Sequence, residues 1–241
     1  MIRGLLFDIN GTLIDIATGE TDENIYRTTA NFLDFHGVKI APPVLREEYF
    51  SLMRRQKRQS GEKFPEFDVI RLFAEIIRRY GGAATHGALP LAEVTAAVFR
   101  AAGRYQLQLY EGVLPVLRML AERYPMGAVS DGQKVWAMPE LRSVGLAEIF
   151  FPIIISGDYG FRKPDPRMYR MALRELALRP AEVIFVGNDM YRDVCGAHDA
   201  GMKTVFFRSN QGEQNFCGSE PDYIIRRFGE LPDAVNFLSA R

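Results

Sequence analysis

Cysteine is scarce in this chain: Cys195 and Cys217 are the only two, and neither stands in a CxxC or other metal-ligand spacing. A disulfide framework and a cysteine-built metal centre are thereby excluded, and a reducing compartment is the simple setting. Histidine is nearly as thin, with His36, His86 and His198 scattered and no pair at zinc-like spacing. Net charge is missing altogether. Thirty basic and thirty acidic residues cancel, so no global field draws the chain to nucleic acid or to an anionic membrane, and any phosphate it binds must be held locally. Long apolar runs are absent too: the densest, Ile149 to Ile155, is broken by Pro152 and far too short to span a bilayer. The opening stretch MIRGLLFDIN has neither the longer apolar region nor the small-residue cleavage site of a signal peptide. A cytoplasmic protein with no membrane or nucleic-acid partner is expected, and nothing in the sequence sets its oligomeric state.

What is present is enough apolar residue to fill a substantial core, 47% of 241 positions. Short β-rich runs punctuate the chain at Ile2–Asp8, Met126–Ser130, Phe150–Ser156, Val183–Gly187, Thr204–Phe207 and Tyr223–Ile225. Helical patterns separate most of them, which predicts a parallel sheet in a doubly wound, Rossmann-like α/β fold. Between the first two runs lie about a hundred residues of helical pattern without a strand signal. Ile25, Thr29, Phe32, Leu33 and His36 line one face before Gly37; Phe67, Ile70, Phe73, Ile76, Ile77 and Tyr80 line another before Gly81; and Leu91, Val94, Val98, Ala101 and Tyr105 line a third. Residues 16–110 are therefore expected to form a helical cap domain inserted into a core domain made of residues 1–15 and 111–241. Further on, Asp165 is placed to cap a helix with Pro166 at its first position. Asp189 and Asp193 stand one turn apart on the next helix, facing the same sheet edge as Asp8. In an open α/β sheet the carboxyl edge of the strands is where ligands bind, and Asp8, Ser130 and Asp189 each fall at the end of a run.

Four stretches in this order, DINGT at Asp8–Thr12, VSDG at Val129–Gly132, RKPDP at Arg162–Pro166 and VGNDMYRD at Val186–Asp193, together with the tail PDYIIRRFGEL, resemble the haloacid dehalogenase-like hydrolases, in the subgroup with a helical cap after the first motif. The resemblance implies that Asp8 is a nucleophile that attacks phosphorus and forms an acyl-phosphate. It implies a Mg²⁺ ion between the two anions, held by the Asp8 carboxylate, the Asn10 backbone carbonyl and an acidic residue of the fourth motif. Ser130 and the Asp131 backbone would donate hydrogen bonds to the transferring group, and Lys163 would neutralise its charge. The substrate implied is a small-molecule phosphate ester.

Two positions depart from the family pattern. In the fourth motif Asn188 follows the glycine where an aspartate is usual; because a carboxylate binds a hard cation better than an amide, Asp189 is the expected ligand, with Asp193 supporting and Asn188 in reserve. In the first motif Asn10 stands where the family's phosphatases carry an aspartate that protonates the leaving oxygen and activates water. Loss of that acid–base step is worth about 10²–10⁴-fold, roughly 3–5 kcal/mol of barrier, so slow turnover is expected unless another residue, Asp131 among them, supplies the proton. Turn geometry at Asn10-Gly11 is the plainer explanation of the asparagine. Two rival functions follow: a 2-haloacid dehalogenase, whose halide leaves without a proton, and a catalytically weakened protein that binds a phosphorylated ligand or a partner. The basic run RRQKR at Arg54–Arg58 reads as a solvated helix face, Cys195 as a small buried hydrophobe, and Lys163 as a residue whose loss costs turnover but little stability.

Overall fold

The computed structural model describes residues 1–82, 87–215 and 218–240, so His86 and Cys217 lie outside the described residues. Its strands are β1 (Gly4–Phe7), β2 (Ile14–Thr18), β3 (Arg104–Leu109), β4 (Met126–Ser130), β5 (Ile153–Ile155), β6 (Val183–Gly187), β7 (Lys203–Phe207) and β8 (Tyr223–Ile225). Six of them form one parallel sheet in the order β5-β4-β1-β6-β7-β8. Alternation along each central strand explains why both faces must be covered. Leu5 and Phe7 of β1, with Ile184 and Val186 of β6, enter one apolar cluster, while Leu6, Val183 and Phe185 enter another on the opposite face. The chain leaves β1, adds β4 and β5 on one side, then crosses back to add β6, β7 and β8 on the other. That reversal opens a crevice at the carboxyl ends of β1, β4 and β6.

The second sheet was not expected. Ile14–Thr18 and Arg104–Leu109 pair antiparallel and form a two-stranded stem between the core and the helices α1 (Glu23–Phe35), α2 (Pro42–Gln59), α3 (Val69–Tyr80) and α4 (Ala88–Gly103). Each stem strand is short and only half-buried, with Ile14 and Ile16, then Leu107 and Leu109, turned to the main core. Such alternation is a weaker signal than a continuous apolar run. The α1 and α3 stripes enter a third apolar cluster through Ile25, Leu33, Phe67, Phe73, Ile76 and Ile77, whereas His36 is exposed. The α4 stripe is a correction: Val94 is 51% and Tyr105 61% exposed. The inward face is instead Ala88, Ala92, Thr95, Ala96 and Phe99, because small residues let this helix press close to its neighbours.

The helical layer is tied to the core at defined points. After α5 (Val113–Ala121), which packs on the core, Trp136 of α6 (Lys134–Ser143) enters the helical cluster and donates Nε1–H to the Ala96 carbonyl at 2.7 Å. Gln133 just before it donates to Phe67 O at 2.7 Å and accepts from Val69 N at 3.0 Å. The loop between α2 and α3 pairs with the core through Glu66 N to Gly160 O at 2.9 Å and Arg162 N to Phe64 O at 3.0 Å. No helix among the described residues is long and apolar enough to cross a membrane.

Candidate active site

Asp8 follows β1 directly, and its backbone N–H donates to Val186 O of β6 at 2.9 Å, so the strand direction carries its side chain into the crevice. The residue is 5% exposed. Its Oδ1 accepts from Lys163 Nζ at 2.6 Å and its Oδ2 accepts from the Thr12 hydroxyl at 2.9 Å. Lys163, 2% exposed, sits just before Pro164, Asp165 and the helix α7 (Pro166–Leu176), which Asp165 caps by accepting from Arg167 N at 3.0 Å. A second bond of 2.7 Å joins Lys163 Nζ to Asp193 Oδ1. One ammonium therefore bridges two buried carboxylates. Burial alone would push its pKa down, but Asp193, Asp8 and Asp131 outweigh that and hold the ammonium more firmly charged than an ordinary lysine.

The approach of Asp193 depends on Gly187 at the end of β6: a Cβ there would lie 2.3 Å from Asp193 Cβ. Asp193 Oδ2 accepts from the N–H groups of Asn188 and Asp189, both at 3.0 Å. It thus fixes the turn that leads into the π-helical segment Met190–Cys195 and α8 (Gly196–Asp199). Cys195 in that turn is half-buried rather than fully buried, and its Sγ accepts from Ser219 N at 3.4 Å.

Asp189 and Asn188 exchange the places expected of them. Asp189 is the N-cap: its Oδ1 accepts from Tyr191 N and Arg192 N, and its Oδ2 takes Arg192 Nε at 2.9 Å, Nη2 at 2.7 Å and Glu213 N at 3.1 Å. Burial would raise its pKa, yet Arg192 and these N–H groups hold it below the usual carboxylate range. Both oxygens are committed. Asn188, the first residue past the strand, is the one that reaches toward Asp8, through Thr12, while Asp189 lines the larger cleft. Its Oδ1 lies 3.1 Å from the Thr12 hydroxyl that also reaches Asp8, while its Nδ2 donates to Ser209 Oγ at 3.3 Å, which fixes the amide orientation. Thr12 went unassigned in the sequence reading, although the first motif contains it.

Gly11 adopts φ +84°, and a Cβ there would lie 2.3 Å from Asn188 Nδ2. Asn10 has no positive φ, so turn geometry accounts for the glycine and not for the asparagine. The Asn10 carbonyl accepts no hydrogen bond from the described residues. Together with Asp8 and Asn188 Oδ1 it offers an all-oxygen donor set of the kind Mg²⁺ takes, with a single carboxylate. Consistent with that low charge, no three Asp, Glu, His or Cys side chains among the described residues form a metal-holding group.

Ser130 ends β4, and its hydroxyl makes only a long 3.5 Å contact with Asp131 O, which leaves it available to a ligand. Asp131 Oδ1 accepts from Lys163 N at 2.9 Å, and its Oδ2 lies 3.6 Å from Arg192 Nη1. Two clefts open beside these residues, of about 280 and 530 Å³, and Lys57, Arg162 and Arg192 line both. Lys57 belongs to the basic run read as solvated; on α2 it turns toward the crevice instead, its Nζ 5.3 Å above the Phe67 ring. Lys57 and Arg162 form no ion pair with the described residues; they face a cleft that Glu20, Glu66 and Glu140 also line.

A buried carboxylate, a lysine that bridges it to a second one, and a strand-end hydroxyl thus stand at the reversal of a parallel sheet, the edge where folds of this class bind their ligands. The family model of the haloacid dehalogenase-like hydrolases matches residues 2–201, and the chain belongs to that family. It is 29% identical to a glyceraldehyde 3-phosphate phosphatase of Methanopyrus kandleri, covering 99% of each chain. To the 5-amino-6-(5-phospho-D-ribitylamino)uracil phosphatase of Escherichia coli it is 30% identical over 88% of this chain and 86% of that protein. Among solved structures, a 2-haloacid dehalogenase from Pseudomonas syringae shares the fold with a TM-score of 0.74, at 24% identity over 98% and 99% of the two chains.

Proposed function

We propose that the chain is a cytoplasmic phosphohydrolase that cleaves small phosphate esters through a phosphoryl group carried on Asp8. The observation that carries this reading is the placement of Asp8 between Lys163 and Thr12 at the carboxyl edge of the sheet, with the Ser130 hydroxyl available beside it. The phosphatase relatives support it. One Asp8 oxygen attacks phosphorus, the bond to the ester oxygen breaks, and water then releases phosphate from the acyl-phosphate. Lys163 holds Asp8 in place through its bond to Oδ1, while Ser130 and the Asp131 N–H group receive the phosphoryl oxygens. Asp8, the Asn10 carbonyl and Asn188 would hold Mg²⁺, which when bound offsets the repulsion between substrate and nucleophile. Residues 16–110, with α1–α4 above the stem, serve as the cap that selects the leaving group.

Mg²⁺ titration by calorimetry on wild type, Asn188→Ala and Asp189→Ala tests the ligand assignment. Asn188→Ala is expected to weaken binding and Asp189→Ala to leave it near wild type; the reverse order would restore Asp189 as the ligand.

Dehalogenation remains as a second reading on one observation: Asn10 and Asn188 put two neutral amides beside Asp8, a weak setting for a cation. Turnover of alkyl phosphates and 2-haloacids, each with Mg²⁺ and with a chelator, separates the readings. The proposal expects Mg²⁺-dependent phosphate release; chelator-insensitive halide release would replace it, and no turnover of either class would leave a binding protein.

A further inference from the structure

We propose that Asp131 is the proton donor and acceptor of ester hydrolysis, in the role that the Asn10 amide cannot fill; this rests on the phosphohydrolase reading above. The register of β1 on β4 pairs Leu5 with Met126, Leu6 with Gly127 and Phe7 with Ala128. Beyond that pairing the chain leaves both strands at one edge of the sheet, through Asp8–Asn10 after β1 and Asp131 after β4. The two residues line the same 280 Å³ cleft. Asp131 and the nucleophile are also fixed to one residue, since Lys163 holds Asp131 Oδ1 by its backbone N–H at 2.9 Å and Asp8 by its ammonium at 2.6 Å.

The second carboxyl oxygen is the telling atom. Asp131 Oδ2 is buried and has no hydrogen-bond partner; Arg192 Nη1 at 3.6 Å is within ion-pair range but too far to hydrogen-bond it well. Buried carboxyl oxygens are ordinarily satisfied; because Asp131 lines the cleft, a small turn of its side chain would let an ester oxygen there supply the partner this one lacks. The surroundings raise its pKa: burial pushes the carboxyl up, Lys163 and Arg192 pull it back, and Asp193 adds to the rise, leaving it above the usual aspartate range. Glu66 faces the same group. Among the other carboxylates of that cleft, Glu66 is committed to Ser156 Oγ at 2.9 Å and Phe67 N at 3.0 Å, and Glu140 to Arg100 at 2.7 Å. Glu20 lines the cleft with Asp131 but makes no hydrogen bond or ion pair to Lys163 or Asp8.

The step balances. As Asp8 bonds to phosphorus, the electron pair of the breaking P–O bond goes to the ester oxygen, which takes the Asp131 proton and leaves as an alcohol. The Asp131 carboxylate then takes a proton from the attacking water as the P–O bond to Asp8 breaks, which restores both groups and releases phosphate.

Turnover of wild type, Asp131→Asn, Glu20→Gln, Asn10→Asp and the Asn10→Asp/Asp131→Asn double variant on an alkyl phosphate and on an activated aryl phosphate tests this. Asp131→Asn should lose about 10²–10⁴-fold on the alkyl ester, far less on the aryl ester whose leaving group needs no proton, and should lose the alkaline fall of the pH profile. Asn10→Asp should gain little alone and should rescue the Asp131→Asn background. An equal loss on both esters, absence of rescue, or a larger loss in Glu20→Gln overturns the assignment while leaving the phosphohydrolase in place. Wild type inactive on every ester removes both.

Discussion

Asp8→Asn should abolish ester hydrolysis, with kcat lowered on the order of 10⁶-fold, the scale of nucleophile removal in covalent mechanisms, while the protein stays folded. The amide keeps the shape and the Thr12 contact but cannot attack phosphorus. Nor should stability suffer, because wild type sets two buried carboxylates, Asp8 and Asp193, against the single Lys163 ammonium. Removing one of them leaves a balanced pair. A nucleophile held this way is strain kept for function, so the melting temperature of Asp8→Asn should equal or exceed that of wild type. Asp8→Ala, which cannot revert by deamidation, provides the control. A variant that retains a tenth of wild-type turnover would move the nucleophile elsewhere.

Lys163→Met should give the opposite pattern, losing turnover and stability together. The side chain is 2% exposed between two buried carboxylates, and removing one partner of a buried ionic cluster costs about 3–5 kcal/mol because charge is left uncompensated. For a chain of this size each kcal/mol shifts Tm by roughly 2–4 °C, so a fall of about 6–20 °C is expected by calorimetry. Asp8→Asn/Lys163→Met should recover much of it. A Tm within about 2 °C of wild type would show that Lys163 is a loop lysine of the kind its sequence position suggests. The motif identifies this residue but says nothing of its burial, which depends on α7 and the fourth-motif turn closing around it.

The same contrast runs through the rest of the molecule. The strands at Met126–Ser130 and Val183–Gly187 stand at their expected limits, because a strand buried on both faces is a continuous apolar run; Tyr223–Ile225 does so as an edge strand with Ile224 exposed. The half-buried stem at Ile14–Thr18 and Arg104–Leu109 has no such run, and its two strands lie too far apart in sequence to show a hairpin turn. Asp8 and Ser130 leave the ends of neighbouring strands, and Lys163, in the loop before α7, reaches Asp8 from the far side of the crevice. Asn188 and Asp189 differ in ligand strength, but the structure also gives them different partners: the residue after the strand meets Thr12 beside Asp8, and the next one caps the helix and binds Arg192 three residues on. Asp189 with Arg192 is an ordinary capping signal, legible once the helix start is fixed. Lys57 could not be assigned because the orientation of α2 over the crevice is set by packing among α1–α4, not by its own charge run.

The most direct test of the account is a rapid acid quench of wild-type protein turning over its best alkyl phosphate with Mg²⁺, followed by peptide mass analysis. One phosphoryl group on the peptide that contains Asp8, labile to hydroxylamine and absent from Asp8→Asn, is the predicted result. Turnover of that ester at an undiminished rate in Asp8→Asn, with no phosphorylated peptide in wild type, would contradict it.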